Sequence, residues 1–554
     1  MFLHPQKYTP LLERILVSHL VPSRFTHLGV DGSDEATMIC SVPFFALKSS
    51  SPSIGVLTAR TSFRQIAAQA VLSQQAKCWR TTSCCSSSSS FSSINTRPNT
   101  SHRNILSPVQ LRGLHCSSHL RLATESTGIP AHAIMGSIPE TAPVVRVFIA
   151  GGSYAGLSTA VNLLDLGDGL SPRMAREEYT HHPSVPKVNF QITIADERDG
   201  YYHLIGSPLA LAESEYAKKA WVQFQDLPAL QAPNVQFVQG SVSSVDCNAK
   251  TATVVDSITK EPVTHQYDYF VTATGLRRVW PVVPQSLTRK QYLLEVEAQI
   301  KALDGAKDGI LIVGGGAVGI EMAAELKHVK PHLKVTLAHS RDKLLSSEPL
   351  PDECKDKALD LVKETGVDVL MSHRLASSTK VESPDGSSKY EVEFTNGHKM
   401  TASAVVMALS KSISTASYLP SSATDSEGLV KIVPNMSFDP STPNAASHFC
   451  AGDVAKWSGI KRCGAAMHGG HLVANNIHQL VLQQIAQHQP KFQELPEIPP
   501  MIGLAVGKNA VAYGPDEGVI SGPEVMQAYF RDDLGWGICW DWMQLGGRKS
   551  DAKA

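Results

Sequence analysis

Two glycine-rich segments are the parts of this sequence best suited to chemistry, and each follows a run of apolar, mostly β-branched residues. Residues 151–156 (GGSYAG) follow Val144–Ala150, and residues 314–319 (GGGAVG) follow Ile310–Val313. A strand, a tight glycine turn and a helix direct backbone N–H groups and the positive end of a helix dipole at a pyrophosphate. The pattern therefore predicts two dinucleotide-binding units, of which only the second has the complete G-x-G-x-x-G motif.

In each unit, the next apolar run ends at a polar residue that would meet the ribose of a bound dinucleotide. In the first unit this residue is Asp196, whose carboxylate can accept hydrogen bonds from ribose hydroxyls. It lies 40 residues after Gly156, and we attribute this long interval to an inserted surface loop over residues 167–187. In the second unit the residue is His339, 20 residues after Gly319.

The residues after the second unit's strand bear on the choice between NADPH and NADH. No carboxylate at position 339 would repel a 2′-phosphate, and Arg341 could pair with one. We therefore predict NADPH, with NADH as the alternative if Arg341 is only a solvated loop cation.

Two further predicted strands end in small or acidic residues. Residues 267–275 end in Ala-Thr-Gly, and residues 449–453 end in Ala-Gly-Asp. The first turn could close against a nucleotide, and the second could offer a carboxylate to a ribityl hydroxyl. The alternative is that both are ordinary turns, because Gly and Asp are common there.

As a set, these motifs resemble the flavoprotein pyridine nucleotide oxidoreductases with two dinucleotide-binding domains. The similarity is greatest to the apoptosis-inducing-factor-like branch, near the ferroptosis-suppressor and type II NADH dehydrogenase proteins. It covers roughly residues 144–545 and rests on GGSYAG, the early ATG, GGGAVGIEMAAEL, and AGD followed by GAAMHGGHLVANNI. One departure is Ala-Leu-Ser at 408–410, where many relatives have a second Ala-Thr-Gly.

The resemblance implies that the first unit holds FAD and the second holds NADPH or NADH. The residues implied to contact FAD are Gly151, Gly152, Ser153, Gly156, Asp196, Ala273, Thr274, Gly275, Asp453 and Ala466. Those expected to contact the nicotinamide dinucleotide are Gly314, Gly316, Gly319, His339 and Arg341.

Hydride transfer from nicotinamide to flavin needs alignment more than acid–base catalysis. The resemblance places Glu321 near the flavin–nicotinamide contact. Glu321 and His468 are the titratable residues closest to the expected flavin, so both are predicted catalytic residues for protons taken up by an acceptor. We expect no metal site, because His468 and His471 have too few additional ligands nearby.

The predicted fold class is α/β, with two Rossmann-like domains, the FAD domain split around the NAD(P) domain, and a small α+β C-terminal region. The predicted domains are FAD-binding at 143–300 and 403–480, NAD(P)H-binding at 301–402, and a C-terminal interface region at 481–554. Residues 1–134 are predicted to be disordered and outside this fold.

The segment 1–134 carries 12 Lys and Arg against 5 Asp and Glu, and it is rich in serine. This composition is typical of a mitochondrial transit peptide. The alternative is a gene-model extension with translation starting at Met135, which would favour the cytoplasm. Both locations remain open.

The electron acceptor is constrained by the cysteines. No C-x-x-C or C-x-x-x-x-C pair is present, which argues against the disulfide reductases of this architecture. We predict a small-molecule, quinone-like acceptor, and one-electron carriers and oxygen remain open. The alternatives are a redox-sensing NAD(P)H-binding flavoprotein that acts through partner binding, and a pathway-specific small-molecule oxidoreductase.

Composition and charge limit the partners. The residues after 134 are net acidic, so we expect no nucleic acid. No run of 18 apolar residues predicts a transmembrane helix. The aromatic stretch at 529–542 would suit peripheral membrane contact or a homodimer, or it could belong to the core.

Overall fold

The computed structural model describes residues 142–175, 186–382, 388–409 and 412–548. The segment 1–134, and the location predicted from it, lie outside these residues. Residues 176–185 of the predicted surface loop (167–187) also lie outside them, and in the rest of the loop Gly167 ends a helix while residues 168–175 and 186–187 contain neither helix nor strand.

The described strands are β1 (Val144–Ala150), β2 (Asn189–Asp196), β3 (Gly200–Tyr202), β4 (Trp221–Gln223), β5 (Val235–Asp246), β6 (Thr251–Asp256), β7 (Pro262–Gln266), β8 (Tyr269–Thr272), β9 (Leu276–Arg277), β10 (Ile310–Val313), β11 (Val335–Ala338), β12 (Asp368–Leu370), β13 (Leu375–Glu382), β14 (Ser388–Phe394), β15 (Lys399–Ala402), β16 (Ala404–Met407), β17 (Ile413–Ser414), β18 (Val430–Lys431), β19 (His448–Cys450), β20 (Ala455–Lys456), β21 (Ile502–Val506), β22 (Asn509–Gly514) and β23 (Gly518–Gly522).

The described α-helices are α1 (Tyr154–Gly167), α2 (Ser207–Ala210), α3 (Ser214–Ala220), α4 (Arg289–Asp304), α5 (Ala317–Val329), α6 (Asp352–Glu364), α7 (Cys463–Ala486), α8 (Pro523–Tyr529) and α9 (Trp536–Met543). Short 3₁₀ turns cover Leu204–Gly206, Phe224–Asp226, Pro228–Leu230, Ser421–Ala423 and Ala445–Ser447. No helix in the described ranges is long and apolar enough to cross a membrane.

The first sheet has the strand order β19-β8-β1-β2-β5-β6-β7. The first five strands in this order, which are β19, β8, β1, β2 and β5, pair in parallel. Strands β6 and β7 continue the sheet as antiparallel strands. The continuous apolar run of β1 suits a central strand of a parallel sheet, which is buried on both faces. Helix α1 packs against α7, where the Ser158 hydroxyl donates a hydrogen bond to the Met467 carbonyl at 2.6 Å.

The second sheet is parallel throughout, in the order β12-β11-β10-β16, and a small antiparallel sheet β13-β14-β15 lies between β12 and β16 in sequence. Strand β16 pairs with β10 in register from Ile310 with Ala404 to Val313 with Met407. Because β16 belongs to this sheet, the boundary predicted between 402 and 403 falls one strand too early.

The two sheets repeat one arrangement around their central strands. Strand β1 lies between β2 and β8, and β10 lies between β11 and β16. Each central strand runs directly into a glycine turn and a helix, α1 or α5. The predicted α/β class with two Rossmann-like units is confirmed.

The C-terminal region consists of the antiparallel sheet β21-β22-β23 and the helices α8 and α9. Residues of β21 and β22 share a core cluster with the apolar face of α5. Met543 and Leu545, at and beyond the end of α9, pack in the core of the first sheet. The C-terminal region is therefore packed against both nucleotide-binding units.

Candidate functional site

The first glycine turn brings backbone atoms so close that side chains are excluded. Gly151 has a φ of +106°, and an added Cβ would lie 2.4 Å from the Ala273 carbonyl oxygen. A Cβ on Gly156 would lie 1.9 Å from the Gly151 carbonyl oxygen. Within the described part of the chain, Ser153 makes no side-chain cap at the start of α1. The first N–H groups of this helix therefore remain available to an anion.

Asp196 lies at the end of β2, directly beside this turn. Its Oδ2 accepts a hydrogen bond from the Gly152 N–H at 2.7 Å, and its Oδ1 accepts one from the Arg198 N–H at 2.8 Å. Burial raises the pKa of Asp196 above its usual range. The carboxylate thus orders the glycine turn and also lines the cavity described next.

A cavity of about 990 Å³ begins at the first glycine turn and extends to α5 and the C-terminal region. Its volume lies at the upper end of the range for ligand and cofactor sites. Most residues predicted to contact FAD line it: Gly151, Gly152, Ser153, Asp196, Ala273, Thr274, Gly275, Asp453 and Ala466. Gly156 is not among the described lining residues. Its lack of a side chain instead allows the close approach of the Gly151 carbonyl group.

Hydroxyl and carboxylate groups form part of the cavity lining. The Thr415 hydroxyl donates to Thr274 Oγ1 at 2.7 Å, and Thr274 Oγ1 also lies 3.2 Å from the Tyr418 hydroxyl. Asp453 lies 3.7 Å from the Arg278 guanidinium, and burial raises the pKa of its carboxyl group. These groups can accept hydrogen bonds from a polyhydroxylated chain such as ribityl.

Helix α7 begins at the cavity with Cys463, preceded by the N-cap residue Arg462. Nε and Nη2 of Arg462 are buried and have no hydrogen-bond partner among the described residues. Ala466 and Met467 line the cavity, but the predicted catalytic residue His468 does not. Its half-buried ring instead lies near that of His471, with ring centroids 6.2 Å apart.

Glu321 lines the cavity from α5, the helix that follows the second glycine turn. Its Oε1 accepts a hydrogen bond from the Ala505 N–H of β21 at 3.4 Å. Burial raises the pKa of Glu321 to about 8. The carboxyl group therefore holds a proton at neutral pH. Glu325, one turn later on α5, is also buried with a pKa raised to about 8, but it does not line the cavity.

The second glycine turn repeats the geometry of the first. A Cβ on Gly314, which has a φ of +124°, would lie 2.3 Å from the Ala408 carbonyl oxygen. A Cβ on Gly319 would lie 1.8 Å from the Gly314 carbonyl oxygen. Gly316 is the N-cap of α5 and supplies no side chain there. Ala408 thus takes the position of Ala273 although the Ala-Thr-Gly motif is absent, and Ser410 lies outside the described residues.

The His339 imidazole is the counterpart of the Asp196 carboxylate. Its Nδ1 accepts a hydrogen bond from the Gly315 N–H at 3.0 Å, and its Nε2 lies 3.0 Å from the Ser346 hydroxyl. Burial lowers the pKa of His339, so the ring is neutral. Exposed Arg341 donates to the Ser346 carbonyl at 3.2 Å. The described lining of the large cavity includes neither of these residues, nor Gly314, Gly316 and Gly319.

A buried polar cluster that includes cavity-lining Tyr154 was not predicted from the sequence. The hydroxyls of Tyr154 and Tyr201 lie 3.2 and 3.1 Å from His203 Nδ1, and His203 Nε2 donates to the Leu534 carbonyl at 3.0 Å. Burial lowers the pKa of His203 to about 4, so it stays neutral. Of these three side chains, only Tyr154 could have been singled out from the sequence, because it lies inside the first glycine motif.

The presence of Cys463 and Cys539 in the cavity lining was also missed. Neither forms a disulfide. They come from α7 and α9, so a search for cysteine pairs close in sequence could not find them.

Comparison with protein families agrees with this geometry. The family model described as pyridine nucleotide-disulphide oxidoreductase matches residues 145–470. Oxidoreductase OXR1 of Ajellomyces capsulatus is 50% identical over 405 residues, covering 72% of this chain and 88% of that protein. Ferroptosis suppressor protein 1 of Mus musculus is 24% identical over 351 residues, covering 62% of this chain and 84% of that protein.

Solved structures show a similar fold. The sulfide:quinone oxidoreductase from Aquifex aeolicus has a TM-score of 0.51 at 19% identity, covering 72% of this chain and 92% of that one. The NAD-dependent persulfide reductase from A. fulgidus has a TM-score of 0.50 at 18% identity, covering 66% of this chain and 63% of that one. At these identities the likeness extends to the fold alone.

Proposed function

Because the chain belongs to the pyridine nucleotide-disulphide oxidoreductase family, in its apoptosis-inducing-factor-like branch, we propose that it transfers electrons from NADPH through FAD to a quinone-like acceptor. Family membership makes it an NAD(P)H-dependent flavoprotein oxidoreductase that binds FAD and NAD(P)H. NADPH as the donor and a quinone as the acceptor are the parts that we propose.

The observation that carries the proposal is that one cavity joins the two nucleotide-binding units. It runs from the first glycine turn to Glu321 on the helix of the second turn. A nicotinamide bound by the second unit could therefore reach a flavin bound by the first, which is the alignment that hydride transfer requires.

The chain's own residues fit FAD at the first unit. The uncapped start of α1 and the glycines at 151 and 152 can hold a pyrophosphate, and partly buried Asp453 can accept hydrogen bonds from ribityl hydroxyls. FAD, when bound, accepts a hydride and passes electrons onward. The N–H groups at the start of α7 would favour negative charge on the ring system.

The second unit favours NADPH by its charges. A neutral His339 takes the position where a carboxylate would repel a 2′-phosphate. Arg341 is exposed beside it and can reorient from the Ser346 carbonyl toward a phosphate.

The part of the cavity wall that the C-terminal region supplies is suited to a flat, apolar acceptor. Its lining there is rich in apolar and aromatic side chains, namely Ile502, Tyr529, Phe530, Ile538 and Trp542. Quinone reduction also consumes protons, and protonated Glu321 lies in the same cavity. Apolar contact on one side and a proton donor on the other match the needs of a quinone.

The test is steady-state oxidation of NADPH with a short-chain ubiquinone analogue and with ferricyanide. Replacing cavity-lining Trp542 with alanine should raise the KM for the quinone roughly tenfold, as expected for the loss of an aromatic contact, and leave ferricyanide reduction unchanged. Trp540→Ala is the matched control, because Trp540 stacks on Trp536 and is outside the cavity lining.

Two results would contradict this proposal. Equal effects of Trp542→Ala and Trp540→Ala on the quinone KM would remove the assigned acceptor wall. A wild-type protein that is reduced by NADPH but turns over no quinone would favour the alternative, a redox sensor that acts through a partner.

A further inference from the structure

A buried hydrogen-bonded cluster joins the first glycine turn to the segment that precedes α9. Burial keeps the His203 ring neutral, and its Nε2 lies 3.0 Å from the carbonyl oxygen of Leu534, which can only accept a hydrogen bond. The ring proton is therefore on Nε2, and Nδ1 carries a lone pair. The hydroxyls of Tyr154 and Tyr201 lie 3.2 and 3.1 Å from this Nδ1. Two hydroxyl donors thus face a single acceptor.

One of the two hydroxyl protons needs another acceptor. Nδ1 of a neutral imidazole has one lone pair, so it accepts only one of these protons at a time. The two tyrosines differ in their surroundings, because Tyr154 lines the cavity and Tyr201 is not among the described lining residues. When the Tyr201 hydroxyl donates to Nδ1, the Tyr154 proton is available to an oxygen atom in the cavity.

The Tyr154 hydroxyl is suited to act as a donor. Its oxygen accepts a hydrogen bond from the Ile205 N–H at 3.3 Å, which fixes its position, and rotation about the C–O bond sets where its proton points. Burial raises the pKa of Tyr154 well above its usual range, so the hydroxyl keeps its proton at neutral pH. A buried donor without an acceptor costs free energy, so a ligand oxygen that accepts this proton is favoured.

This hydroxyl lies beside the apolar wall proposed for the acceptor. Ile205, which donates to it, lines the cavity, and its Cδ1 lies 3.5 Å from the position that a Cβ on Gly535 would take. Gly535 also lines the cavity and directly precedes α9, which carries the wall residues Ile538 and Trp542. A planar acceptor on this wall would therefore lie close to a hydroxyl donor.

We propose that Tyr154 is a specificity-determining residue that donates a hydrogen bond to a carbonyl oxygen of the quinone-type acceptor. This inference rests on the proposed function and extends it, because the apolar wall binds the ring and Tyr154 binds its oxygen. Tyr201 is a positioning residue, since it occupies Nδ1 and so leaves the Tyr154 proton to the ligand. An acceptor without a carbonyl oxygen, such as ferricyanide, does not use this hydrogen bond.

The first test is Tyr154→Phe, which removes the hydroxyl and keeps the ring. The Kd of a short-chain ubiquinone analogue is measured by equilibrium dialysis on the oxidised flavoprotein without NADPH, and its KM is measured in steady-state turnover. Both should rise about fivefold, as expected for the loss of one hydrogen bond, while the KM for ferricyanide changes less than about twofold. Bound flavin per protein checks that each variant is folded and holds its cofactor.

Two further variants separate the hydrogen bond from the packing of this segment. Tyr201→Phe leaves Nδ1 to Tyr154, so the quinone Kd should rise at least about twofold although Tyr201 is outside the described lining. Tyr216→Phe is the matched control, because the Tyr216 hydroxyl donates to the carbonyl of Asp533, next to Leu534, at 2.8 Å, and Tyr216 is also outside that lining. Its quinone Kd should equal that of the wild type. A rise as large as in Tyr154→Phe would reduce the effect to loosening of this segment and overturn the proposal.

The binding measurement needs no electron transfer, so it separates this proposal from the proposed function. An unchanged quinone Kd in Tyr154→Phe, with quinone reduced by the wild type, would overturn the role of Tyr154 alone. A wild-type protein that binds the quinone without reducing it would contradict the proposed function, and a raised Kd in Tyr154→Phe would still support the hydrogen bond. A wild-type protein that binds no quinone would overturn both.

Discussion

Glu321 is the residue on which proton delivery to the acceptor depends in our account. It is the cavity-lining carboxyl group on α5, it accepts a long hydrogen bond from the Ala505 N–H, and burial raises its pKa to about 8. A carboxyl group that is neutral at pH 7 can donate a proton, which an ordinary surface glutamate at this pH cannot.

We predict that Glu321→Gln slows quinone reduction at least about tenfold, because an amide of similar shape cannot supply the proton. Reduction of ferricyanide, which takes electrons without protons, should change little. Glu325→Gln is the matched control, since Glu325 has a similar pKa on the same helix but lies outside the cavity lining. Equal losses with both acceptors would leave Glu321 as a packing residue only.

The pH dependence follows from the same pKa. Glu321 is protonated below about pH 8 and loses its proton as the pH rises through that value. Quinone turnover should therefore be sustained at neutral pH and fall above about pH 8, while ferricyanide turnover stays level there. Rates measured across this range for wild type and Glu321→Gln should differ in shape, and a fall that persists in the variant would assign the titration to another group.

Arg341 is the residue that should distinguish the two nicotinamides. Replacing it with alanine removes the cation that we propose pairs with a 2′-phosphate, so we predict that the KM for NADPH rises roughly tenfold and that for NADH changes less than about twofold. Lys343→Ala controls for the loss of a nearby positive charge, because Lys343 is paired with Asp356. A similar change for NADPH and NADH would refute this basis for selectivity.

At the scale of elements, the two glycine turns bring the start of each helix against its central strand. A Cβ at Gly156 would lie 1.9 Å from the Gly151 carbonyl oxygen, so even Gly156→Ala must displace α1 from the pyrophosphate position. We predict at least about tenfold weaker retention of FAD, measured as bound flavin per protein after gel filtration.

The matched control for this variant is Gly305→Ala. Gly305 follows α4, has a negative φ, and an added Cβ there would approach other atoms no closer than 3.6 Å. Its flavin content should equal that of the wild type. If Gly156→Ala also retained full flavin, the close approach of α1 to β1 would have no role in binding.

Strands and helices could be predicted where adjacent residues in the sequence identify them. The strands β1 and β10 and the helices that follow them were read from apolar runs and adjacent glycines, and they are confirmed. The sheet to which β16 belongs was not predicted correctly, since a short apolar run does not reveal which sheet it joins. In the structure, β16 pairs in parallel with β10 in the second sheet.

At the scale of the whole molecule, the cavity is built from three regions that are far apart in sequence. The first unit supplies the glycine turn, the second supplies Glu321, and the C-terminal region supplies the apolar wall. The sequence identified the motifs of the first two regions. It did not show the Glu321–Ala505 contact or the presence of Cys463 and Cys539 in one cavity lining, because both depend on how the C-terminal region packs against the other two.

The same reason explains why the two predicted catalytic residues lie in different positions relative to the cavity. Both Glu321 and His468 lie on helices near a cofactor motif, and sequence distance alone ranked them equally. In the structure, Glu321 is turned toward the cavity, whereas His468 lies outside its described lining, near His471. Helix orientation, set by long-range packing, separates the two.

We propose that one cavity lets NADPH reduce a flavin that then reduces a quinone. The most direct test is anaerobic rapid mixing of the purified protein with NADPH, followed by a second mixing with a short-chain ubiquinone analogue, while the flavin absorbance is recorded. We predict that NADPH bleaches the flavin absorbance and that the quinone restores it within the time of one steady-state turnover. A flavin that NADPH does not bleach, or that stays reduced in the presence of the quinone, would contradict it.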